Sequence, residues 1–129
     1  MGDGAPPWLN QQHDIFEDRG DPAAYDFQIG DLTTDGNWHD LDLSAFVPSG
    51  TKAVLLRINL QDDAASSRFR IRKNGNTLAY NSNDFYTQVA NVFFGAVAFV
   101  PCDQNRIIEY NADNLTWTAI NIVILGWFN

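Results

Sequence analysis

The chain is poor in the side chains that catalysis and disulfide bonding require. It has one cysteine, Cys102, so an intramolecular disulfide is impossible and a disulfide-stapled scaffold is excluded. That cysteine and the two histidines, His13 and His39, are too few and too scattered for a zinc site. The chain has only two glutamates, Glu17 and Glu109, and no nucleophile elbow or glycine-rich phosphate loop. The sequence therefore predicts a protein that is not an enzyme and needs no cofactor. Cys102 is expected to be a small buried hydrophobe.

Calcium is the one metal that the acidic loops leave open as an alternative, because it is held by about six to eight oxygen atoms. No loop has the spacing of an EF-hand, so the simpler interpretation is that these loops are solvated and bind no metal. The aspartates concerned are Asp31, Asp35, Asp40, Asp42, Asp62 and Asp63.

Positive charge is also scarce. Eight lysines and arginines stand against 16 aspartates and glutamates, which gives a net charge of −8 and a pI of about 4.3. Binding to nucleic acid or to an anionic membrane needs a basic surface, so neither is an expected partner. No signal peptide is apparent, and the longest apolar stretches, 92–101 and 119–128, are too short for a membrane helix. We therefore expect the chain to fold in the cytoplasm.

Short alternating segments separated by turns run through most of the chain. No segment has a helical period longer than a turn or two, and the turns recur about every ten residues. This pattern predicts one all-β domain over 24–129, an antiparallel β-sandwich or jelly roll of about eight strands. A small closed barrel is the alternative. The predicted strands are 25–29, 38–43, 52–60, 68–72, 77–80, 87–100 with a break at Gly95, 106–111 and 115–128.

The clearest predicted hairpin joins 68–72 to 77–80 through Asn74 and Gly75, which favour a type I′ turn. Alternation places three arginines on one face of its first strand, a basic stripe on an acidic protein. The stripe is a candidate contact for an anion or for a carboxylate of a partner. The alternative is a solvated sheet face paired with acids on neighbouring strands. The three residues are Arg68, Arg70 and Arg72.

The late strands are apolar on both faces. In 92–100, and in 115–128 beyond Ala119, residues of both alternating sets are largely hydrophobic. A sandwich strand with one wet face should instead be polar on every second residue. A neighbouring subunit is the expected cover, and the alternative is that the arm or a loop of the same chain covers this surface.

The first 23 residues differ from the remainder, because they combine prolines, glycines and many polar residues without a convincing period. We predict an extended N-terminal arm over 1–23 that becomes ordered against a neighbour, and the alternative is a disordered leader. Its candidate contacts are Trp8, Leu9, Ile15 and Phe16.

Exposed aromatic residues suggest glycan contact as a second kind of site. Phe85 and Tyr86 follow a polar turn and are the first candidates, within a wider set of Trp38, Tyr80, Tyr110 and Trp117. Core packing is the alternative for most of these rings.

Several stretches resemble small β-rich virion proteins of tailed phages. They are DLDLS (40–44), VPSG (47–50), KAVLLR (52–57), FRIRKNGN (69–76) and TQVAN (87–91). The resemblance covers most of the chain after Tyr25 and implies a fibre, tail or capsid-decoration protein. It transfers no active-site residue.

The leading hypothesis is thus a structural phage protein that is assembled in the host cytoplasm and resides in the virion. Its expected partners are other copies of itself, with a trimer favoured, and other virion proteins. The alternative is a β-sandwich module that binds carbohydrate or a host receptor.

Overall fold

The computed structural model describes residues 15–129. Over this range the chain forms two four-stranded sheets, A and B, and two short 3₁₀ helices, Ile29–Asp31 and Ala79–Asn81. The eight strands are β1 (Phe16–Asp18), β2 (His39–Asp42), β3 (Ala53–Gln61), β4 (Arg68–Lys73), β5 (Asn83–Tyr86), β6 (Phe94–Pro101), β7 (Ile107–Ala112) and β8 (Ala119–Phe128).

The strand order is that of a jelly roll. Sheet A runs β1-β8-β3-β6 and sheet B runs β2-β7-β4-β5, with every pair antiparallel. The pairs β1·β8, β2·β7, β3·β6 and β4·β5 are those of one long hairpin with its tip between β4 and β5. Rolling that hairpin into two layers creates the remaining pairs, β3·β8 and β4·β7. The predicted antiparallel sandwich of about eight strands is confirmed.

The core lies between the inner faces of the two sheets. In β3, every second residue from Val54 to Leu60 is fully buried, and Phe69 and Ile71 of β4 are fully buried on the opposite side. Burial of one such side chain contributes roughly 1.5–3 kcal/mol. Cys102 is 6% exposed, its Sγ lies 3.3 Å from the Thr51 carbonyl oxygen, and burial raises the pKa of its thiol. Its predicted role as a small buried hydrophobe is confirmed.

The predicted hairpin has the right first strand and the wrong second one. The backbone N–H of Asn76 donates to the Lys73 carbonyl oxygen at 3.2 Å, and Gly75 alone of the two central turn residues has a positive φ, +92°. One positive φ at the third turn position is typical of type II, not the predicted type I′. The range 77–80 is not a strand, and β5 is the partner of β4 because it brings Phe85 opposite Phe69.

The N-terminal part of the fold also differs from the prediction. The range 25–29 forms no strand, only a single bridge between Phe27 and Ile122 ahead of the first 3₁₀ helix. Strand β1 lies within the range predicted as an arm and pairs with the end of β8, with Phe16 opposite Phe128. Three residues are too few to show an alternating pattern, but the open edge of β8 provides their backbone partners. Strand pairing therefore begins N-terminal to residue 24.

A β-bulge in β8 reverses which side chains point inward near the end of the strand. Leu55 pairs with Gly126 and Leu56 pairs with Ile124, so Leu125 is an extra residue in β8. An extra residue reverses the alternation beyond it. Trp127 therefore faces the core, whereas unbroken alternation would put it on the same face as Val123, which points outward.

Candidate functional site

The outer face of sheet A carries a continuous group of apolar side chains at one end of the sandwich. Leu56 and Val100 are buried on the inner face, so their neighbours point outward. The exposed fractions are 39% for Phe16, 54% for Val97 and 52% for Phe99. We call this group the apolar face, and it consists of Phe16, Leu55, Val97, Phe99 and Phe128.

Three aromatic rings from three strands are packed together across the apolar face. The ring centroid of Phe128 lies 5.1 Å from that of Phe16 on β1 and 5.1 Å from that of Phe99 on β6. These distances are in the range of favourable tilted and edge-to-face pairs. The rings form one surface and not isolated exposed residues, which is the arrangement that marks a contact surface.

Gly126 makes this arrangement possible. A Cβ at this position would overlap the Phe16 ring and the carbonyl oxygen of Glu17. The missing side chain therefore lets β1 lie against β8 and places Phe16 on the apolar face.

The structure thus accounts for the doubly apolar pattern of the late strands in two ways. Val97 and Phe99 of β6 are more than half exposed, and no other segment of residues 15–129 buries them. On β8, by contrast, Val123 is only 8% exposed and lies beside residues 22–25 of the same chain. On the strands of sheet A, the open apolar surface therefore lies on the β6 side and at the end near β1.

Two of the four predicted arm contacts lie beside this surface. Phe16 belongs to it, and Ile15, which is 67% exposed, precedes Phe16 and accepts a hydrogen bond from the Asn129 backbone N–H at 2.9 Å. Trp8 and Leu9 lie outside the described residues.

The outer face of sheet B is built differently, from charged and aromatic side chains that pair with one another. Arg72 Nε donates to Glu109 Oε1 at 2.8 Å, and the two side chains are only 11% and 15% exposed. Arg68 Nε lies 3.7 Å from Asp113 Oδ1. The sequence-predicted stripe therefore lies on one face, as alternation indicates, and two of its three arginines are paired with acids.

Trp38 covers the centre of this stripe. Its ring centroid lies 3.7 Å from the guanidinium carbon of Arg72 and 5.0 Å from that of Arg70. Cation–π contacts of this kind stabilise by about 0.5–2 kcal/mol. Arg70 Nε is buried without a hydrogen-bond partner among residues 15–129, and Arg70 is directly opposite the buried Asn111. The stripe leaves little free cationic surface for an anion.

Phe85 and Tyr86 do not form a joint platform for a glycan. They are neighbours on β5 and therefore point to opposite faces of sheet B. Phe85 packs against the core, whereas Tyr86 is 41% exposed on the outer face.

His39 has a structural environment. Its Nε2 lies 2.8 Å from Asp35 Oδ1, and its ring lies 5.7 Å from that of Tyr110. Asp35 also accepts the Asn37 backbone N–H at 2.9 Å. These two bonds, the one to His39 first, lower the pKa of Asp35 to about 2. The pair closes the turn that precedes Trp38. His13 lies outside the described residues.

The aspartates considered for calcium do not converge. Within residues 15–129, no three histidine, cysteine or carboxylate side chains are grouped so that they could hold a metal ion. Asp35 bonds to His39, Asp42 accepts the Ser44 backbone N–H, and the buried Asp62 accepts the Ser67 hydroxyl at 2.5 Å. Each of these three carboxylates is engaged in a hydrogen bond with a residue close to it in sequence.

Sequence reasoning identified the late strands and included Tyr80 among the candidate glycan contacts, but it missed the partly exposed Leu55 and the local structure at Tyr80. Leu55 lies in a run of apolar residues, where alternation is hidden, and Tyr80 was assigned to a strand. Tyr80 instead lies on the 3₁₀ helix Ala79–Asn81 with 94% of its surface exposed. The polar residues on both sides of 79–81 were the available signal for a loop.

No protein-family model and no curated protein matches this chain. No helix of residues 15–129 has the length and apolar character needed to cross a membrane. The surfaces of the jelly roll are therefore the features that bear on its function.

Proposed function

We propose that this chain is a non-enzymatic assembly protein that forms a homo-oligomer through the apolar face of sheet A. One observation carries the proposal: Val97 and Phe99 are more than half exposed beside the packed rings of Phe16 and Phe128. Burial of apolar area is the main favourable term in most protein association. Contact with a second copy would remove this surface from water without disturbing the core.

The distribution of charge supports another copy of the chain as the occupant. The chain carries a net charge of −8, so most pairs of surfaces from two copies would repel each other. On the outer face of sheet A, however, the strand register places one acidic side chain, Asp18, and one basic side chain, Arg57. Two copies that meet through this face therefore bring one charge of each sign from each copy, so the contact concentrates no net negative charge.

The N-terminal arm supports the same arrangement. Residues 1–14 join the described chain at Ile15, at the border of the apolar face. We propose that Trp8 and Leu9 contact the apolar face of a neighbouring copy, with a trimer as the expected state. Exchange of such an arm between copies would add apolar contact to each interface.

We propose a virion as the setting, in which the chain acts as a capsid-decoration protein or a tail or fibre component. Jelly rolls recur in viral capsid domains, and the sequence resembles phage virion proteins over most of its length after Tyr25. One fold serves many functions, so it is the apolar face, and not this analogy, that supports assembly.

The decisive experiment measures the molar mass of the protein in solution by size-exclusion chromatography with light scattering. We expect an oligomer for the wild type and a monomer for Val97→Asp, because the new carboxylate would be buried at the interface. Val89→Asp is the matched control, since Val89 is 56% exposed and lies outside the apolar face. The free energy of unfolding of the Val97→Asp monomer should remain within about 0.5 kcal/mol of the control. A monomeric wild type, or dissociation of both variants, would refute the proposal.

Removal of residues 1–14 tests the arm separately. The deletion stops before β1 so that Phe16 stays on the apolar face. We expect a weakened oligomer, seen as dissociation at a higher protein concentration than for the wild type. An unchanged oligomer would exclude the arm contact and leave the role of the apolar face standing.

A further inference from the structure

A cleft of about 500 Å³ opens beside the apolar face, at the corner where β5 and β6 meet. These strands are the free edges of two different sheets. Asn83 Nδ2 of β5 donates to the Phe99 carbonyl oxygen of β6 at 3.2 Å and connects the edges at the base of the cleft. The cleft shares Phe99 with the apolar face, but its other lining residues lie outside that face.

One wall of the cleft is an aromatic ring that packs on almost nothing. Tyr80 is 94% exposed, and residues 15–129 provide no ring stacking and no hydrogen bond for its side chain. Phe99, 52% exposed, lines the cleft as well. Exposed tyrosine is typical of binding sites, because its ring gives a large apolar contact with few rotatable bonds.

The other walls provide hydrogen-bonding groups with no partner of their own. The side chains of Asn76 and Asn81 line the cleft and make no hydrogen bond to any described residue, and Asn83 keeps its Oδ1 free. Each carboxamide offers both donors and an acceptor. Lys73 adds a cation that forms no salt bridge within residues 15–129.

We infer that the Tyr80 cleft binds a neutral hexose-based saccharide. A pyranose ring has an apolar C–H face, which would stack on Tyr80, and hydroxyl groups along its edge, which would exchange hydrogen bonds with Asn76 and Asn81. Carboxamides suit hydroxyl groups because each of the two can donate and accept. This combination of one aromatic ring and several amides matches saccharides better than a hydrophobic peptide, which would leave the amides unpaired.

Charge favours a neutral saccharide over an acidic one. Carboxylates flank the cleft: Asp103 accepts a hydrogen bond from Asn74 Nδ2 at 2.8 Å next to Lys73, and Asp84 accepts the Ser82 hydroxyl at 2.6 Å. Together with the net charge of −8, they would repel a sugar carboxylate, and Lys73 alone does not offset them.

The test is an NMR titration of the full chain with lactose, maltotriose and cellotriose, and with 3′-sialyllactose as the acidic counterpart of lactose. We expect at least one neutral probe to shift the Tyr80 ring and the Asn76 and Asn81 side-chain amide signals. A shallow, open cleft predicts a Kd on the order of 1 mM. No shift with any neutral probe, or shifts with 3′-sialyllactose alone, would overturn the inference.

Two tyrosine variants give the specificity control. Tyr80→Ala should weaken binding about tenfold or more, because the stacking surface is lost. Tyr86→Ala removes another exposed tyrosine, on the outer face of sheet B, and should leave the affinity unchanged. An equal loss for both variants would overturn the inference. The Tyr80→Ala spectrum should otherwise match the wild type, since this side chain packs on so little.

The titration is repeated on Val97→Asp to separate the two proposals. Val97 does not line the cleft, so this variant should bind saccharide whether or not it assembles. A monomeric Val97→Asp that still binds saccharide supports both proposals. An oligomeric Val97→Asp that binds saccharide refutes the assembly proposal alone, and a monomeric one that binds no saccharide refutes the cleft proposal alone.

Discussion

The outer faces of the two sheets differ in how far the chain's own side chains cover them. Sheet B covers its outer surface with its own side chains: Trp38 lies over Arg70 and Arg72, and Arg72 is paired with Glu109. Sheet A leaves Val97 and Phe99 open to solvent. Side chains of sheet B are thus engaged within the chain, whereas those of sheet A are available for contact with another molecule. We therefore expect substitutions on sheet B to change stability and substitutions on sheet A to change association.

We expect the largest difference in the free energy of unfolding when one arginine is removed from each outer face. Arg72→Ala leaves the Glu109 carboxylate, 15% exposed, without its partner and uncovers Trp38. We expect a loss of about 2–3 kcal/mol in the free energy of unfolding. Arg57→Ala, on the exposed surface of sheet A, should change it by less than about 0.5 kcal/mol.

Urea unfolding of the two arginine variants, monitored by tryptophan fluorescence, makes this measurement. Equal losses for Arg72→Ala and Arg57→Ala would contradict the division between a stabilising face and a contact face. Both experiments should be done under conditions where the oligomer is dissociated, so that association does not contribute to the measured stability.

A smaller effect is expected at the position that builds the apolar face. Gly126→Ala places a Cβ against the Glu17 carbonyl oxygen and the Phe16 ring, so β1 must move away from β8. We expect a loss of about 1–2 kcal/mol and faster hydrogen exchange at the backbone of β1. Gly30→Ala is the control, because nothing lies within 4 Å of the added Cβ and Gly30 has no positive φ. If β1 exchanges at the wild-type rate in Gly126→Ala, the close approach is not needed to hold it.

The smallest effect should be pH-dependent and belongs to sheet B. The pKa of Asp35 is lowered to about 2 from an ordinary value of 3.8, mainly by its hydrogen bond to His39. A lowered folded-state pKa adds stability that is complete above about pH 4 and is lost as the pH falls towards 2. The wild type should therefore be more stable than Asp35→Asn at pH 7, by a margin that shrinks between pH 4 and pH 2. Urea unfolding of both proteins at several pH values tests this, and a margin that stays constant down to pH 2 would contradict the assignment.

Much of the fold could be predicted because the central strands alternate clearly. Arg68 to Arg72 has charged residues on one face and Phe69 and Ile71 on the other, and the structure keeps this division. The doubly apolar pattern of 92–100 likewise predicted an outward hydrophobic surface, and Val97 and Phe99 provide it. In both cases the period of two is a property of the backbone, so it is readable without knowing the partners of the strand.

The predictions were wrong where the structure depends on which strands pair with each other and not on the alternation of side chains along one strand. Strand β1 has three residues and exists because the edge of β8 accepts it. The turn at Gly75 leads into a loop and a 3₁₀ helix before β5 pairs with β4, so the nearest apolar residues in sequence were not the partner. In β8, one extra residue places Trp127 in the core, where unbroken alternation would put it on the same face as Val123. Each of these depends on long-range pairing that no local pattern contains.

By itself, the sequence determined that this is an all-β protein with apolar residues on both faces of its late strands, since the alternation of side chains follows from local backbone geometry. Only the tertiary structure decided which of those faces stays open. The residues that cover β8 and the arginines and Trp38 that close sheet B come from distant parts of the chain. The rolled topology places these covering residues over β8 and over sheet B, and it places none of residues 15–129 over the exposed side of β6.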